Sequence, residues 1–105
     1  MRRTDAEKLR YALLELAEHR AQVLDHRERP WASITFAGAR HCLSLLFAGE
    51  EAVAAGEAFI DRLPDHEFTI PARLVADAVV RGVEHRMHPH PRLVLHCEVL
   101  LLEEV

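Results

Sequence analysis

The chain has little of what most familiar chemistries need. Its two cysteines, Cys42 and Cys97, stand far apart and in no paired motif. That excludes a disulfide scaffold and fits a reducing cytoplasm. Its four glycines, Gly38, Gly49, Gly56 and Gly82, stand alone. Neither a GxGxxG nor a GxxxxGK[ST] motif occurs, so no loop is built to cradle phosphate. No apolar run nears the roughly 20 residues that span a bilayer, and Met1–Asp5 leads into an acidic amphipathic segment. Neither a membrane anchor nor a secretory leader is expected. Thirteen Lys+Arg against 17 Asp+Glu leave a net charge of −4, which disfavours nucleic acid and, with an acidic first helix, a membrane surface.

What is present is the material of one ordinary domain over residues 1–105. Half of the residues are hydrophobic and 29% are charged, as in a soluble globular protein. A chain of this size buries about two-thirds of its unfolded surface, enough for one modest core. No linker, low-complexity tract or Gly/Ser/Pro-rich stretch divides it.

Thr4 and Glu7 form a capping-box pair at a helix start. Leu9, Leu13, Leu16, Val23 and Leu24 then recur at steps of three and four, which predicts an amphipathic helix over 5–27, closed before Pro30. Alternation on either side of Gly38-Ala39 predicts a hairpin over 31–37 and 40–48. Its inward face would carry Ile34, Phe36, Leu43, Leu45 and Phe47, with Trp31 packed on the end of the first helix. A second helix is expected over 50–63, with Glu50 and Glu51 at its positive N-terminal end and Pro64 as its stop. Its stripe is Val53, Gly56, Ile60 and Leu63, and the small Ala52, Ala55 and Gly56 suit close approach to a sheet.

Phe68 and Ile70 suggest a short strand before Pro71. A longer strand follows over 74–87, with Val79, Val83 and Met87 on one side. After a His-Pro-His-Pro turn comes a last strand over 92–103, with Leu93, Leu95, Cys97, Val99 and Leu101 inward. The expected fold is α+β, in the order α-β-β-α-β-β-β: an antiparallel sheet of four to five strands with both helices on one face. Val80, Val94, Leu100 and Leu102 then fall on the other face. They predict an apolar patch and a homodimer through that face or an edge strand, unless Arg81, Glu84, Arg86 and Glu98 break the patch up.

Histidine is the compositional oddity, with eight residues whose protonation reverses the sign of the net charge near pH 6. Four of them, His85, His88, His90 and His96, crowd the final hairpin with Cys97 and Glu98, which are ligand types for zinc, nickel or copper. The spacing matches no CxxC or HExxH site, so the plain reading is exposed turn and strand histidines. A ligand site using Asp77, Arg81, Glu84 and Glu98 is the alternative to a protein–protein surface. Asp77, set in an apolar run, either caps backbone N–H groups at a bend or bulge or lines a pocket. His41-Cys42 and His96-Cys97 are adjacent on strands and point to opposite faces, so neither forms a nucleophile–base pair. The sequence therefore predicts a non-catalytic homodimeric interaction protein with no cofactor, with a further, unidentified protein partner left open.

Overall fold

A computed structural model describes residues 3–104. Helix α1 spans Asp5–Leu16, strand β1 Gln22–Ala32, strand β2 Ala37–Ala48 and helix α2 Glu50–Arg62. A single 3-10 turn over Leu63–Asp65 follows, then β3 (Arg73–Arg86) and β4 (Arg92–Glu103). The four strands form one antiparallel sheet in the order β1-β2-β4-β3. The α+β class, the antiparallel sheet and the two helices are as expected. The order is α-β-β-α-β-β, without a fifth strand among the described residues. Phe68 and Ile70 are drawn into the core region, but only one isolated bridge, Ile70 to Arg73, forms there. Pro71 lacks the N–H that a ladder would need next.

Helix α1 begins as read. Thr4 Oγ1 accepts the Glu7 backbone N–H at 3.1 Å, and Glu7 Oε1 accepts the Thr4 N–H at 3.2 Å. It ends eleven residues early, because residues 5–27 are not one helix. After Leu16 the backbone turns through Glu18 and His19, both at φ 58°, and the chain from Gln22 pairs along β2 instead. By Leu13 and Ala17 the buried side of α1 has crossed the core. The strand that follows adds ten residue pairs to β2. Pro30 is tolerated because β1 lies at the sheet edge.

That exchange moves the first hairpin. Its turn is Ser33–Phe36, closed by the Ser33 N–H donating to the Phe36 carbonyl at 2.8 Å. Ile34 and Phe36 are exposed at this turn, not buried. Gly38 lies inside β2, opposite Leu102, where a Cβ would stand 2.1 Å from the Leu101 carbonyl oxygen. It is a close-approach glycine, not a turn glycine. Trp31 pairs with Gly38 and so faces away from the helices.

Both helices cover one face. Leu9 and Leu13 of α1 and Val53 and Phe59 of α2 join Leu43, Leu45, Phe47, Leu93, Leu95, Cys97, Val99 and Leu101 in one core. Phe59, expected beside the α2 stripe, is fully buried in it, with its ring centroid 6.1 Å from that of Phe47. At Gly56 a Cβ would lie 2.6 Å from Leu93 Cδ2, so the absence of a side chain lets α2 sit down on the sheet.

Strand β3 has 14 residues and its partner β4 has 12. The surplus is absorbed by two bulges, at Ala76 and Arg81. Each bulge shifts the alternation by one residue. Val80 therefore opposes Cys97 on the helix side, as Val83 opposes Leu95, while Val79 opposes Glu98 on the other side. The expectations that Val80 lies on the outer face, and that Val79 and Val83 share one, are both corrected by these bulges.

Candidate functional site on the open face of the sheet

The sheet face opposite the helices has no element of the described residues over it. Its middle is polar and is built across three neighbouring strands. Arg40 of β2 and Arg81 of β3 flank Glu98 of β4. Arg40 Nη1 donates to Glu98 Oε1 and Arg81 Nε donates to Glu98 Oε2, each at 2.8 Å. The hydrogen bond from Arg81, then that from Arg40, holds the Glu98 carboxyl below its usual range. The same bond to Glu98 raises Arg81. The bulge at Arg81 turns this side chain onto the open face, beside Val79 opposite Glu98.

A second network lies two residues along. Ser44 of β2 bonds His96 Nδ1 at 2.9 Å, and His96 Nε2 bonds Glu84 Oε2 at 2.6 Å. With Glu84 ionised, Nε2 carries the proton and Nδ1 accepts from the Ser44 hydroxyl. Gly82, directly opposite His96, makes room for the ring: a Cβ there would stand 3.2 Å from His96 Cδ2. The sequence hydroxyl–imidazole–carboxylate is that of an activated nucleophile. Two features make it a cross-strand tie instead. Ser44 sits in an inner strand, between Asp25 and His96, where the ladders to β1 and β4 occupy the backbone N–H groups an oxyanion would need. Glu84 is 70% exposed, so the network has no enclosed pocket around it.

The structure thus gathers Arg81, Glu84, Glu98 and His96 on one face. Asp77 shares the face at the bulge beside Ala76, at a sheet position expected for an aspartate near irregular backbone, and it contributes favourably to the Arg81 charge. The other histidines of the hairpin do not join them. His85 opposes Leu93 and so belongs to the helix-side face, while His88 and His90 lie exposed in the β3–β4 turn. Among the described residues no three His, Cys, Asp or Glu side chains come together as a metal-binding group.

The expected apolar patch is corrected in its extent. Val94, Leu100 and Leu102 do face outward, yet they are 8%, 9% and 5% exposed. They belong to β4, an inner strand flanked by β2 and β3. Apolar surface on this face is carried at its two ends, by Trp31 and the half-exposed Leu74 at one and by Leu46 at the other. Arg81 and Glu98 occupy the space between, with Glu84 in the row of Leu46 and Arg86 one row beyond it.

A third cluster escaped the sequence reading, because it requires residue 26 to be in a strand. On the helix-side face, Arg10 Nη1 donates to His26 Nδ1 at 2.9 Å, and His26 Nε2 meets His41 Nδ1 at 2.9 Å. His41 is 1% exposed, and its Nε2 has no hydrogen-bond partner. The nearest carboxylate oxygen is Glu28 Oε2, at 4.0 Å. Burial lowers both imidazole pKa values. The only signal in the sequence was the number of histidines.

No protein-family model, curated protein or solved structure matches the chain. The functional reading therefore rests on geometry and charge. No helix of the described residues is long and apolar enough to cross a membrane.

Proposed function

We propose that the chain is a non-catalytic structural or interaction protein that works as a homodimer, with the open sheet face as the contact. The observation that carries this reading is a four-stranded sheet with helices on one side and nothing of the described chain on the other. Strands about 4.8 Å apart and about 3.4 Å per residue give that face roughly 700 Å². A standard interface takes about 800 Å² from each partner.

The edges are poorer contacts than the face. Strand β1 carries a bulge beside Val23, Pro30 and the charged Arg27, Glu28 and Arg29. Strand β3 carries two bulges, and both devices discourage strand addition. One pair of opposite charges on the open face, Arg29 and Asp77, picks out an orientation for a second copy. Toward the β1 edge stand Asp25, Arg27 and Arg29, a net +1; toward the β3 edge stand Asp77, Arg81, Glu84 and Arg86, a net of zero, with Asp77 in the same cross-strand row as Arg29. A two-fold axis running along the strands lays the β1 edge of one copy over the β3 edge of the other. Arg29 of one copy then lies over Asp77 of the other, with Trp31, Leu46 and Leu74 in the contact.

Two unpaired thiols suit a reducing compartment, and the cytoplasm is the reading they support. A ligand site on Asp77, Arg81, Glu84 and Glu98 is the weaker alternative, since three of the four already spend their charges on neighbours. Native mass spectrometry of untagged protein tests the dimer directly. The expected mass is twice 12.0 kDa. Arg29→Glu and Asp77→Arg should each shift the population toward single chains, and the double variant should restore the dimer. A single chain throughout, or a double variant no better than either parent, overturns the proposal.

A further inference from the structure

We propose that the hollow beside His41 binds a small organic cation carrying a hydrogen-bond-accepting oxygen close to its positive nitrogen. The hollow, about 370 Å³, lies where the start of α1 meets the ends of β1, β2 and β4. Asp5, Glu28, Gly38, His41, Leu101 and Glu103 are among the residues that line it.

The protonation pattern at its wall is forced. An arginine only donates, so His26 Nδ1 must accept from Arg10. The neutral His26 then carries its proton on Nε2 and donates it to His41 Nδ1. His41 in turn must carry its own proton on Nε2. That N–H faces the hollow with no acceptor: Glu28 Oε2, at 4.0 Å, is too far to take it. A buried donor left without a partner gains from any ligand that supplies an acceptor.

Charge selects the rest of the ligand. Asp5 is matched by Arg73, whose Nε donates to Oδ2 at 2.9 Å. Glu28 and Glu103 form no ion pair with Lys or Arg among the described residues, so the hollow is left net negative. Glu28 is 55% exposed and lies over the buried Nε2. Swinging outward, it uncovers the donor and presents its carboxylate to a cation in the same place. A transition metal does not fit here. It needs the lone pair of His41 Nε2, which would move the His41 proton to Nδ1 and leave His26 accepting at both nitrogens, an imidazolate.

The test is a long-range proton–nitrogen NMR correlation of the histidine rings in the full chain at pH 7.5. Ethanolamine, glycinamide and argininamide are titrated in turn. Ethylene glycol lacks the charge, tetramethylammonium lacks the acceptor, and zinc chloride tests the metal. In the free protein both His26 and His41 should be the Nε2–H tautomer. At least one of the three amines should shift the His41 Nε2 signal saturably, with both controls at least ten-fold weaker. Glu28→Gln, a change at an exposed side chain, should weaken that response at least ten-fold. The proposal is overturned by no saturable shift from any of the three amines, by an equal response to either control, by an unchanged Glu28→Gln titration or by zinc on His41 Nε2.

Discussion

His26 donates its Nε2 proton to His41 Nδ1 across 2.9 Å, and the Arg10 guanidinium on its other nitrogen fixes that direction. Neither ring takes a second proton without breaking a hydrogen bond. Both pKa values accordingly lie below the ordinary 6.5. For His26 the causes are burial first, then the charges of His41 and Arg10, opposed by Glu28 and Asp25. For His41 the cause is burial, opposed by Glu28 and Asp5. In the unfolded chain both rings protonate near pH 6.5, so below that value the unfolded state holds more protons. Their contribution to stability is complete above pH 6.5, falls as the pH drops through 6.5, and levels off below the folded pKa values. The slope is at most about 1.4 kcal/mol per pH unit for each ring. Urea unfolding midpoints at pH 7.5, 6.5 and 5.5 should fall in that order. In a His26→Gln, His41→Gln variant the fall should be smaller, and an equal fall would refute the assignment.

Three glycines should rank by what a new Cβ would strike. At Gly38 the obstacle is backbone, the Leu101 carbonyl oxygen at 2.1 Å. Gly38→Ala therefore has to part β2 from β4. At Gly56 the obstacles are side chains, Leu93 Cδ2 at 2.6 Å and the Phe47 ring at 2.9 Å. Overpacking there costs about 1–3 kcal/mol, against about 1 kcal/mol gained in helix propensity, so a net loss of about 0–2 kcal/mol is expected. At Gly82 the His96 ring, 3.2 Å away, has room to shift outward. Thermal melts of the three alanine variants should give the loss order Gly38, Gly56, Gly82.

The two thiols should react very differently. Cys97 is 2% exposed, and burial pushes its pKa up to about 12. A disulfide reagent near pH 8 should leave it untouched until the chain unfolds. Cys42 is partly exposed on the open sheet face, opposite Arg27 and Glu98. The native protein should release one equivalent of thiol and the denatured protein two. If a second copy covers that face, the Cys42 rate should also rise on dilution. A concentration-independent rate would count against the dimer, and fast labelling of Cys97 would contradict the packing of β4.

The readings that held rest on strong local signals. The Thr4–Glu7 box set the start of α1, Pro64 bounded α2 near Arg62, and β4 runs over the predicted residues 92–103. Of the candidate residues, the fold sets Arg81, Glu84, Glu98 and His96 on one face. Their companions His85, His88 and His90 separated from them, because strand parity and a turn place them elsewhere.

By itself, then, the sequence determined the α+β class, the helix starts, the inner strand and which residues would form the core of β4. Capping chemistry, proline stops and period-two alternation act within a few residues and need no distant partner. Only the tertiary structure decided that residues 22–32 are a strand, since their pairing with β2 outweighs a weak helical preference. Only the tertiary structure created the bulges, because fitting 14 residues against 12 is a property of two strands together. Those two decisions put His26 against His41 and Arg81 beside Glu98, and so the candidate sites belong to the pairing of distant segments rather than to any one of them.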